Sequence, residues 1–118
     1  MQPSFPPEQQ FAIQFVQILT QRKFEQAYTL LTEDYQQNTS VQEIQAHFDR
    51  IIPNDWGPFD PVIAVGETLT DFPDHQLDDS GWVYVSLEGH IYPYSEGLFI
   101  LVAHISEKYK IHDVVFGR

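Results

Sequence analysis

A chain of 118 residues with no cysteine suits one compact domain and excludes disulfides, a thiolate nucleophile and cysteine-bound zinc. The formal net charge is −11, and from Ile51 through Glu107 there are ten acidic residues and no Lys or Arg. Nucleic acids and anionic membranes, which need several cations on one surface, are excluded as partners.

Apolar residues make up 42% of the chain and aromatics 14%, enough to build a core and too many for a disordered chain. No apolar run approaches the roughly 18 residues of a membrane-spanning helix. The opening "MQPSFPPEQQ" lacks the basic and apolar segments of a secretory signal. The expectation is a cytoplasmic protein.

Residues 1–7 are rich in proline and read as a flexible lead-in, leaving 8–118 as a single domain. Phe11, Phe15, Ile18, Leu19 and Arg22 follow the spacing of one helical face. The glutamines between them read as a solvated face with good helix propensity. Phe24, Ala27, Tyr28 and Leu31 predict a short second helix, after which "TEDYQQNT" breaks the periodicity. Ser40 and Glu43 form a capping box that starts another helix, with Val41, Ile44, Phe48 and Ile51 as its buried face.

"PNDWGPFDP" reads as a loop, with three prolines and a glycine. Strands are predicted over Val62–Leu69, Trp82–Ile91, Leu98–Ile105 and Tyr109–Phe116. Val83, Val85 and Leu87 alternate against Trp82, Tyr84 and Ser86. The third strand is apolar on both parities up to His104, which predicts cover on both of its faces. Helices first and strands afterwards, with turns too short for crossover helices, predict an α+β domain. The helices are expected to pack on one face of a curved antiparallel meander.

Three stretches carry a family resemblance. "FVQILTQRKFEQAYTLLTEDY", "SVQEIQAHFDRI" and "GLFILVAHISEKYKIHDVVFG" resemble, in order, the opening helices, the next helix and the paired closing strands of the nuclear transport factor two-like superfamily. The likeness spans nearly the whole chain after Pro7. It implies a cone of cystatin-like roll type: helices wrapped by a strongly bent antiparallel sheet, with a pocket at the wide end. Ketosteroid isomerases and scytalone-dehydratase-like enzymes share that fold with many domains that do no chemistry, so fold alone does not fix function. Dimerisation through the outer sheet face is common in the superfamily and is expected here.

The closing hairpin "HISEKYKIHD" holds the candidate catalytic residues. With an even loop, His104 opposes Ile111, and Asp113 lies diagonal to it within hydrogen-bonding reach. With a three-residue loop, His104 opposes His112 on the other face. The resemblance favours Tyr109 and Ile111 facing the helices, which would point Asp113 into the cone. A carboxylate inside an apolar cone titrates high and can shuttle a proton, with His104 as its partner and Tyr35 as a donor. Tyr28, Phe48 and Trp56 are the candidate ligand-binding residues. Trp82 and Tyr84 are placed either in a pocket or on the outer sheet face, where their amphipathic rings suit an interface.

"DFPDHQLDD" is oxygen-rich but lacks the alternation and closing glutamate of a calcium loop. It reads as a solvated acidic turn that discourages edge pairing. His47, His90 and His112 have no partner at metal-ligand spacing, so neither a metal nor a cofactor is expected. The favoured reading is a non-catalytic domain that binds a small apolar ligand or a protein and forms a homodimer. The alternative is a cofactor-free isomerase, dehydratase or hydrolase acting on a small apolar substrate through Asp113 and His104. A second alternative is an acidic immunity or accessory protein that meets a basic partner.

Overall fold

Helix α1 spans Pro7–Thr20 and buries Ala12, Phe15, Val16, Ile18, Leu19 and the side chain of Gln9. Proline at the first helical position loses no hydrogen bond, because that N–H has no acceptor within the helix. The helix ends at Arg22, which takes left-handed backbone geometry (φ 61°). There the Lys23 N–H donates to the Ile18 carbonyl at 3.2 Å and the Arg22 N–H to that of Leu19 at 2.9 Å, the paired closing bonds of a Schellman turn. Arg22 is thus the helix stop rather than part of its buried face. Its guanidinium bonds Asp49 at 2.8 Å and lies 5.3 Å from the centre of the Phe24 ring.

The computed structural model of the protein describes residues 7–52, 59–63, 79–89 and 95–116. After α1 come α2 (Phe24–Thr29), α3 (Glu33–Asn38) and α4 (Val41–Ile51). The expected break at "TEDYQQNT" is instead helix α3. Thr32 caps it, accepting from the Tyr35 N–H at 3.3 Å, and Glu33 and Asp34 suit its positive first turn. None of its residues is fully buried, so it has no apolar stripe for periodicity to reveal. Helix α4 starts as its capping box predicts, with the Glu43 N–H donating to Ser40 Oγ at 3.1 Å. It buries Ile44 and Phe48.

Strands β1 (Phe59–Ile63), β2 (Asp79–Gly89), β3 (Ser95–Ile105) and β4 (Lys108–Phe116) form one antiparallel sheet in the order β1-β2-β3-β4. The chain is therefore an α+β fold containing the expected meander. Strand β1 begins inside the stretch predicted as loop and includes Pro61. It stands at the end of the strand order, where a residue without an N–H is tolerated. The rest of the strand predicted to Leu69 lies outside the described residues.

Pairing places Val83, Ile100 and Val114 in one rung and Val85, Leu98 and Phe116 in the next. All six join Phe15, Leu19, Ile44 and Phe48 in the core between sheet and helices. The opposite face carries the rungs Trp82, Leu101, Asp113 and Tyr84, Phe99, Val115. The cover expected on both faces of β3 holds at Leu101 and Ala103, which are buried, and fails at Phe99, which is 43% exposed.

Candidate functional site

The β3–β4 hairpin turns through Ser106 and Glu107, both with positive φ (50° and 66°), the backbone of a two-residue type I′ turn. Ile105 therefore opposes Lys108 and His104 opposes Tyr109, a register that neither sequence alternative contains. His104 stacks on Tyr109 with ring centres 4.5 Å apart. Tyr109 in turn packs on Phe11 of α1 at 5.9 Å. Tyr109 and Ile111 face the helices, as the resemblance implies.

Asp113 does not. The register shifts between Leu101 and Val102, whose partners are Asp113 and Ile111, leaving His112 as the extra residue of a β-bulge. One inserted residue reverses the side-chain parity beyond it. Val114 and Phe116 consequently face the core, while Asp113 and Val115 are exposed on the outer face. The expectation that Asp113 points into an apolar interior is corrected by this bulge. His104 and Asp113 lie on opposite faces of the sheet and cannot share a proton.

Tyr35, by contrast, feels the charge of Asp113 at the edge strand β4. Burial pushes the Tyr35 phenol up to about 12. The Asp113 charge adds to the shift, a hydrogen bond with the Val114 backbone opposes it, and the Glu43 charge adds a further increment. Asp113 Oδ1 accepts from the Val114 N–H at 2.8 Å. The same edge is held by the segment from α2 to α3. The Ile111 N–H donates to the Leu30 carbonyl and the Thr32 N–H to that of Ile111, both at 2.8 Å. Lys110 Nζ donates to the Thr29 carbonyl at 3.1 Å. Chemically this arrangement caps a strand edge that would otherwise offer unpaired backbone groups. A phenol held protonated beside an exposed carboxylate is a hydrogen-bond donor, not a general base near neutral pH.

The candidate ligand-binding residues are separated. The Tyr28 hydroxyl donates to the Gln36 carbonyl and Gln36 Nε2 donates back to the Tyr28 carbonyl, each at 2.8 Å, a clasp between α2 and α3. Phe48 is 2% exposed and meets Phe24 edge-on at 5.7 Å, deep in the core. Trp56, His90 and the acidic stretch 71–78 lie outside the described residues. His47 is exposed and stacks on Phe116 at 5.5 Å. Among the described residues no group of three His, Asp or Glu side chains could hold a metal ion, and no helix is long and apolar enough to cross a membrane.

The outer face holds what residue chemistry alone left undivided. Tyr84 and Phe99 meet at 4.8 Å between ring centres, and Val115 completes their rung at 45% exposure. Trp82 stands half-buried in the next rung. The aromatic parity of β2 signalled this face in the sequence. Phe99 and Val115 were hidden, because β3 is apolar throughout and the bulge re-aims β4. No protein-family model, curated protein or solved structure matches the chain.

Proposed function

We propose that the chain is a non-catalytic binding domain of the nuclear transport factor two-like type, its sheet bent into a cone, and that it pairs with a second copy through the outer sheet face. The observation that carries this reading is the rung of Tyr84, Phe99 and Val115. It sets two large apolar side chains, 43% and 45% exposed, beside an aromatic ring on the face turned away from the helices. Contiguous exposed apolar surface of this kind marks interaction sites, and aromatic residues favour interface centres. The opposed faces of His104 and Asp113 weigh against the catalytic alternative.

Sedimentation of the purified chain tests the reading. Dimer is expected at micromolar concentration, with Phe99→Glu monomeric and equally well folded. A wild-type chain that stays monomeric rejects the second copy. If the monomer instead captures a basic protein in a salt-sensitive manner, the acidic-accessory alternative takes its place.

A further inference from the structure

A groove of about 520 Å³ runs between the start of α3 and the tip of the β3–β4 hairpin. It is separate from the outer-face rung. Leu31 and Ile105 supply its apolar lining, Glu33 and Asp34 one acidic side, and Lys108 and Lys110 a basic side. The two sides are tied together by the Leu30–Ile111–Thr32 backbone bonds, so the cleft is preformed, as small-ligand sites usually are. Lys110 is fixed by its bond to the Thr29 carbonyl. Thr32, also in the lining, is fixed by its cap on α3.

The charges are the telling feature. Glu33, Asp34 and Lys108 share one cleft, yet among the described residues none of them forms an ion pair, the pair there being Arg22–Asp49. Opposite charges thus line a single space without pairing across it. A ligand that bridges them needs a cationic end, an anionic end and an apolar middle. A tripeptide reaches about 10 Å between its termini, long enough to span groups too far apart to pair directly.

We propose that this groove binds a short zwitterionic peptide. Its ammonium end meets Glu33 and Asp34, its carboxylate meets Lys108 and Lys110, and an apolar side chain lies on Leu31 and Ile105.

The probe is Ala-Leu-Ala, titrated into the isotopically labelled full chain and followed by amide chemical shifts. Shift changes are expected over Leu31–Gln36 and Ile105–Lys110. Acetylating the peptide's amine or amidating its carboxylate should each weaken binding about fivefold, the value of one exposed ion pair. Lys108→Gln and Glu33→Gln should do the same, and both replace exposed side chains, so the fold is kept. No shifts at millimolar peptide, shifts elsewhere, or indifference to both caps each overturn the proposal. None of these results depends on whether the chain dimerises.

Discussion

Tyr84 lies directly over Gly97. A Cβ built on Gly97 would meet the Tyr84 ring and hydroxyl, and the same ring stands 4.8 Å from Phe99, two residues further along β3. The glycine weakens β3 locally, and the aromatic ring of the neighbouring strand covers the gap it leaves. Gly97→Ala should therefore destabilise the domain by about 1–2 kcal/mol through overpacking. In a Tyr84→Thr background the same change should be nearly neutral. Chemical denaturation of the four proteins of this double-mutant cycle measures the coupling. Equal effects of Gly97→Ala in both backgrounds would show that the ring does not occupy the glycine's space.

Tyr35 predicts a loss of stability at alkaline pH. Its phenol titrates near 12 in the fold and near 10 in the unfolded chain. A raised folded value means the native state holds the proton more tightly. Its stabilising contribution is complete below pH about 10 and is lost as pH rises toward about 12. Melting temperatures across this window should fall more steeply for wild type than for Tyr35→Phe. Tyrosinate absorbance should show one late-titrating group that is absent from the variant. Asp113→Asn should move that group downward, because the Asp113 charge is the second cause of the shift.

The hairpin turn is built from residues that fit it poorly. Ser106 and Glu107 both hold positive φ, where Asn-Gly is the favoured pair. Replacing Ser106 by Asn and Glu107 by Gly should stabilise the domain by about 1 kcal/mol, a rise of about 3–5 °C in melting temperature for a chain of this size. Calorimetry checks this, and a fall in melting temperature would mean that the two side chains make contacts outweighing the backbone strain.

The parts of the fold legible in the sequence are those governed by local chemistry. The capping box at Ser40 and Glu43 located the start of α4, and alternation in β2 separated Val83, Val85 and Leu87 from Trp82 and Tyr84. Helix α3 was not legible, because it rests on the Thr32 cap and on contacts with the edge of β4 rather than on an apolar stripe. The candidate site failed at one residue. His112 is extra in the ladder, and nothing in "KIHDVV" announces a bulge, since bulges arise from cross-strand register rather than composition. With that residue inserted, Asp113 moves from the predicted interior to the surface. The Asp113 charge still acts on Tyr35, but across the edge of β4 rather than inside a pocket.

Arg22 offers a final test, of backbone against side chain. Its left-handed geometry closes α1 and disfavours any residue with a Cβ by about 1 kcal/mol relative to glycine. Its guanidinium offsets part of this through Asp49 at 2.8 Å and the Phe24 ring, half-exposed contacts worth about 0.5–1 kcal/mol each. Arg22→Ala keeps the strain and loses both contacts, so it should destabilise by about 1–2 kcal/mol. Arg22→Gly loses the same contacts and relieves the strain, so it should lie only about 0–1 kcal/mol below wild type and about 1 kcal/mol above Arg22→Ala. Urea denaturation of the two variants separates the terms. Equal stabilities would show that the left-handed turn carries no strain and that Arg22 serves only as a partner for Asp49 and Phe24.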